Sequence, residues 1–147
     1  MSTGESALVA VHLAATSAMV GIIWFVQIVH YPLFDSVGPD RFVDYELRNT
    51  RLTSYVVGVF MALEGFSALA LFAVPPADLG RAWPFAGLIA LAVIHASTVL
   101  LQVPAHGKLS EKFDPSVHRR LVATNWVRTF GWSARGLIAL AISVAVA

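Results

Sequence analysis

The sequence predicts an all-α integral membrane protein: a bundle of four transmembrane helices built from two tandem helical hairpins, with short amphipathic helices in its two cytoplasmic loops. The first observation behind this is composition. Of 147 residues 57% are hydrophobic and 13% charged, with a mean hydropathy of +0.71, which leaves a water-soluble domain too little polar surface. The second is four apolar runs, each able at about 1.5 Å per residue to cross a hydrocarbon core of about 30 Å. The third is that polar residues collect where the runs meet, above all in QVPAHGKLSEKFDPSVHRRLVATNWVRT, residues 102 to 129.

The first run, Leu8 to Val29, follows a segment without Lys or Arg, so a cleavable signal peptide is not expected and the run should persist in the mature protein. Near its end Trp24, Gln27 and Tyr31 share a helical face, with His30 beside it. The loop from 31 to 50 contains FVDYELRNTRL, with apolar residues at helical intervals and Pro39 near its start, as an amphipathic interfacial helix requires. The second run, Leu52 to Val74, opens with Arg51, Tyr55 and Gly58 on one face and buries Glu64 in its middle. In the third, Trp83 to Val103, the residues His95, Val99, Gln102 and His106 recur at intervals of four, three and four along one face. The loop from 107 to about 120 leads into PSVHRRLVATNW, again with a proline, Pro115, at its start. The fourth run, Val127 to Ala147, is interrupted by Arg135. If the helix before it is continuous with it, His118, Leu121, Asn125, Arg128, Trp132 and Arg135 form one long face.

Charge orients the bundle. Arg41, Arg48 and Arg51 follow the first run and Lys108, Lys112, Arg119 and Arg120 the third, while Arg81 stands alone between the second and third. The positive-inside rule puts the two richer loops in the cytoplasm and both chain ends outside. The chain is read as one membrane domain, 1–147, whose halves, about 8–74 and 83–147, carry similar punctuation. Gln27, Pro39 and Asn49 are followed at offsets of 75, 76 and 76 by Gln102, Pro115 and Asn125, and Tyr31 stands where His106 stands in the second half. Such halves can be related by a pseudo-twofold axis along the membrane normal.

Several chemistries are excluded. The absence of cysteine removes thiolate catalysis, disulfide exchange and thiolate ligation of zinc or iron–sulfur clusters. A net charge of +1 without a basic-aromatic motif gives no sign of nucleic acid, and Gly-rich nucleotide loops and HExxH signatures are missing.

The polar faces must point into the bundle, because lipid satisfies no hydrogen bond. Glu64, His95 and Arg135 lie at one depth, roughly 15 to 18 Å from the outer ends of their runs. One reading is a Glu64–Arg135 ion pair with His95 as hydrogen-bond partner; another is a proton-handling or substrate-polarising group at the floor of a pocket; a conducted ion path is a third. At the cytoplasmic end, His30, His106 and His118 could ligate a divalent metal with Asp114 or water. Without metal the histidines serve as acid or base, with His106 foremost, while Gln27, Gln102 and Asn125 orient an oxygen and Arg128 holds an anion. Trp24, Trp126 and Trp132 could then stack on an aromatic ligand, with Tyr31 and Tyr55 as further contacts, or the tryptophans serve only as interfacial anchors. A polar network that merely closes the bundle is the plainer alternative. His12 is expected to snorkel to the outer surface.

The segments WFVQIVHYP, QVPAHGKL and NWVRTFGWSARG resemble those of small bacterial four-helix integral membrane proteins, and the layout is distantly similar to the anthrone-oxygenase-like membrane family over about residues 8 to 146. The resemblance implies a location in the bacterial cytoplasmic (inner) membrane and the oxidation of aromatic polyketides without an evident haem or flavin. An Asn that better-known members carry near this loop has no firm counterpart here, where His106 is prominent. The expectation is a membrane-embedded enzyme or binding module for a hydrophobic aromatic or quinone-like molecule, using His106, His30, Arg128 and Gln102, with either no cofactor or a divalent metal. The competing expectation is a non-catalytic accessory subunit of a larger membrane complex. Membrane lipids surround either, and Gly21, Gly58, Gly87 and Gly136 would permit a homodimer.

Overall fold

The computed structural model describes residues 1–77 and 79–147 and is an all-α, four-helix bundle. Helix α1, Thr3–Phe25, starts at a capping box in which the Ser2 hydroxyl accepts from the Glu5 N–H (3.2 Å) and the Glu5 carboxylate accepts from the Ser2 N–H (2.6 Å). It runs into a π-helical turn, Val26–His30, and then a 3₁₀ turn, Pro32–Ser36. Helix α2, Pro39–Ala73, has proline in its first turn, where the missing N–H costs nothing. The chain reverses through Gly80, whose φ of 64° suits glycine, and Arg81 Nε bonds back to the Phe72 carbonyl (3.3 Å). Helix α3, Ala82–Ser97, passes through a second π turn, Thr98–Gln102, into α4, Val103–Leu109. Helix α5, Pro115–Ala145, is capped by Asp114, which accepts from the N–H groups of Ser116 (2.7 Å) and Val117 (3.3 Å).

Both expected loop helices turn out to be the opening turns of long ones. FVDYELRNTRL is the start of the 35-residue α2 and PSVHRRLVATNW the start of the 31-residue α5. Neither stretch contains an internal Gly or Pro, so continuing the helix is the cheapest way to satisfy the backbone on entering lipid.

Three helical rods, Thr3–Ser36, Pro39–Ala73 and Ala82–Leu109, are long and apolar enough to cross a membrane. Helix α5 has the length, but Arg128 and Arg135 break its apolar run. It lies against both α1 and α3, burying His118, Leu121, Asn125, Thr129, Trp132, Arg135, Ala139 and Ile142 along one stripe. The bundle has an apolar exterior around a core that is apolar with buried polar groups set into it. Phe66, Leu100 and Leu137 are 74%, 70% and 70% exposed, whereas Thr16, Glu46, Glu64, Asn125 and Thr129 are buried. Apolar packing closes the two ends: Phe34, Phe42, Leu109 and Leu121 near the α1–α2 and α4–α5 connections, and Val9, Leu71, Leu79 and Ile142 at the opposite end.

Candidate functional site

Both π turns are followed by proline two residues on, at Pro32 and Pro104. A proline ring clashes with the carbonyl four residues back and offers no N–H to it. Widening the preceding turn relieves that conflict. Between the two widened turns lies a cavity of about 290 Å³, open on one side, at the small end of the range for small-molecule pockets. Met19, Ile22, Ile23, Val26 and Val57 form its apolar wall; His30, Tyr31, Asn49, Gln102, His106 and Arg128 stand at its polar end.

A chain of hydrogen bonds runs along that end. The buried Glu46 carboxylate pairs with His106 Nδ1 through one oxygen and accepts from Asn49 Nδ2 (3.1 Å) through the other. A carboxylate only accepts, so Asn49 presents its amide nitrogen to Glu46 and its carbonyl oxygen to His30, whose Nε2 must donate (2.7 Å). The same argument fixes one side of His106. Nδ1–H donates to Glu46, and in the neutral ring the Nε2 lone pair accepts from the Tyr31 hydroxyl (2.8 Å). Arg128 sits beside the Tyr31 hydroxyl and bonds Asn125 Oδ1 through Nη1 (3.3 Å), while its buried Nε has no protein partner among the described residues.

The other expected site residues divide sharply. Gln27, Asn125 and Thr129 form a buried seam between α1 and α5, with Gln27 Oε1 accepting from Asn125 (3.0 Å) and Thr129 (3.2 Å) and its Nε2 donating to the Val122 carbonyl (3.2 Å). Gln102 lines the cavity, yet its Oε1 accepts from Ser97 (3.1 Å) and its Nε2 donates to Thr124 (3.1 Å). Trp24 bonds Ser133 (3.1 Å) and meets Trp126 edge-on, Tyr55 is 67% exposed on the outer surface, and Trp132 is fully buried. Of the expected ligand contacts outside the acid–base group, Tyr31 alone lines the cavity.

The expected metal shell is not assembled. His118 Nε2 donates to the Tyr31 carbonyl (2.7 Å) and its ring stacks on Phe34, Asp114 caps α5, and His30 and His106 are committed as above. Among the described residues no three His, Asp or Glu side chains gather where a metal could bind. The three imidazoles all pack around Phe34, whose ring centroid lies 5.2, 6.4 and 6.0 Å from those of His30, His106 and His118, and each is bonded to a different partner.

Deep in the bundle Glu64 and Arg135 form the expected ion pair, both buried. His95 is not their partner; it is half-buried on α3 and makes no hydrogen bond among the described residues. The histidine nearest this level of the α1–α2 contact is His12, buried and bonded through Nδ1 to Ser67 Oγ (2.9 Å), so it does not snorkel. Thr16 donates to Glu64 at 3.5 Å. Gly87 and Gly136 are occupied inside the bundle, against Arg135 and Val20, while Gly21 and Gly58 face open space.

Glu46 and its partner Asn49 were missed as site residues. Their signal was present: Phe42, Glu46, Asn49 and Thr53 recur at helical spacing in FVDYELRNTRL, and a carboxylate there is buried when that segment is the start of a long helix rather than an interfacial one. No protein-family model matches the chain, and no curated protein or solved structure matches it either.

Proposed function

We propose that the chain is a membrane-embedded enzyme, or the binding module of one, for a hydrophobic aromatic or quinone-like molecule that enters from the bilayer and exchanges a proton at the His106 end of the cavity. The observation that carries this reading is the cavity itself, apolar where Met19, Ile22, Ile23 and Val26 line it and polar where His106, Tyr31 and Arg128 converge. An accessory subunit needs no hollow beside a histidine paired with a buried carboxylate, which makes that reading the weaker one. The resemblance to the anthrone-oxygenase-like membrane family points to the same substrate class. Arg41, Arg48, Arg51, Lys108, Lys112, Arg119 and Arg120 all belong to the segments at this end, which supports a cytoplasmic placement of the site with both termini outside. The paired π turns and paired prolines opening α2 and α5 support two related halves.

The test is binding of 1-naphthol and of 1,4-naphthoquinone to the protein in lipid nanodiscs, read by equilibrium dialysis. Val57→Trp and Val103→Trp, which fill the cavity from two sides, should each weaken binding about tenfold or more, equivalent to about 1.4 kcal/mol. Binding of neither probe to the wild type, or binding unchanged in both variants, would sink the proposal.

A further inference from the structure

Resting on that reading of the cavity, the hydrogen-bond directions restrict which atom can touch the ligand. Both nitrogens of His106 are already engaged, Nδ1 with Glu46 and Nε2 with Tyr31 (2.8 Å). Gln102 is tied at both ends of its amide. The Tyr31 oxygen spends its hydrogen on His106 and keeps lone-pair capacity as an acceptor, with the Arg128 charge beside it. A ligand there must offer a hydrogen to Tyr31 and an oxygen able to become an anion near Arg128. A bare quinone carbonyl offers neither, since it has no hydrogen to give and becomes an anion only on reduction; an aromatic hydroxyl or enol offers both.

We infer that Tyr31, not His106, is the catalytic residue that exchanges a proton with the bound molecule, and that the ligand class is an aromatic hydroxyl compound or its enol. His106 and Glu46 are positioning residues that act through Tyr31. As the ligand O–H bond breaks, its proton passes to the Tyr31 oxygen while the Tyr31 proton passes to His106 Nε2. The products are a ligand oxyanion beside Arg128 and an imidazolium beside the Glu46 carboxylate. Charge is conserved, each new charge forms next to an opposite one, and no electron is transferred.

The experiment uses 1-naphthol bound to the full chain in nanodiscs, with absorbance separating the neutral phenol from the naphtholate across a pH series. In the wild type the ionised fraction of bound probe near neutral pH should exceed that of free probe about tenfold, one pKa unit. Tyr31→Phe should keep affinity within about threefold and lose that excess ionisation. His106→Gln should lose it too, because glutamine bonds Tyr31 but cannot take its proton, and Glu46→Gln should reduce it. Should these variants fail to fold, 1-methoxynaphthalene, which has no hydroxyl hydrogen, should bind wild type about tenfold more weakly than 1-naphthol. Failure of 1-naphthol to bind at all would overturn the cavity reading. Binding without excess ionisation, ionisation that persists in Tyr31→Phe, or equal affinity for the methoxy compound would overturn the role of Tyr31 and leave the cavity reading standing.

Discussion

The Glu64–Arg135 pair illustrates how a single buried residue is tolerated in this bundle only with its partner. Each side chain is almost wholly buried, and removing one leaves an unmatched charge in a low-dielectric interior, which costs about 3–5 kcal/mol. Glu64→Ala should therefore destabilise the detergent-solubilised wild type by about that much, and by much less in an Arg135→Ala background. Equal effects in the two backgrounds, measured by reversible unfolding, would show that the pair is not coupled. This contact was legible in the sequence because helix rise alone brings two opposite charges to one depth. The partner of His12 was not, since Ser67 lies 55 residues away and an imidazole near a helix end fits snorkelling as well as burial.

Helix ends and turns follow local chemistry closely. Hydrogen bonds from the Ser116 hydroxyl and from the Ser116 and Val117 N–H groups lower the pKa of the Asp114 cap below its ordinary value. A carboxyl depressed in the folded state stabilises above its unfolded pKa and loses that contribution as pH falls through its folded value. Amide protection in the first turn of α5 should accordingly weaken below about pH 4, and in Asp114→Asn, whose side chain still caps but does not titrate, hydrogen exchange should show that acid step reduced or gone. A second prediction concerns the α3–α5 approach. A Cβ at Gly87 would collide with the Arg135 guanidinium, which Glu64 prevents from swinging away, so Gly87→Ala should lower stability by about 1–3 kcal/mol. A melting temperature equal to that of wild type would show that Arg135 has room to move. The π turns were also written locally, in HYP and QVP. The continuity of α2 and α5 was not, because an amphipathic stretch ahead of an apolar run reads equally as a separate interfacial helix or as its first turns.

Across the whole molecule, many large apolar side chains face outward and several polar and charged ones are buried within the apolar core, the arrangement expected of a bundle whose solvent is lipid. The Lys and Arg distribution then predicts a direction. Cysteines introduced at Ser36 and Ser110 should react with a membrane-impermeant maleimide only from the cytoplasmic side, and one at Ala77 only from outside; the opposite pattern would invert the assignment. The glycines that suggested a dimer are split between internal packing, at Gly87 and Gly136, and open surface, at Gly21 and Gly58.

By itself the sequence determined the class of the fold, the four apolar runs, and the ends near Ala73, Ala82 and Ala145, because hydropathy acts over a few residues and needs no partner. It also determined which polar groups must turn inward, since lipid offers them nothing. Which of those groups meet was decided only by tertiary structure. His30, His106 and His118 look equivalent along the chain, yet packing gives them Asn49, Glu46 and the Tyr31 carbonyl respectively. The cavity, too, exists only where residues of two π turns from distant segments come together with others from α1, α2, α4 and α5. Hydrogen bonding is directional and short-ranged, so the choice among several plausible partners follows from where the helices place them.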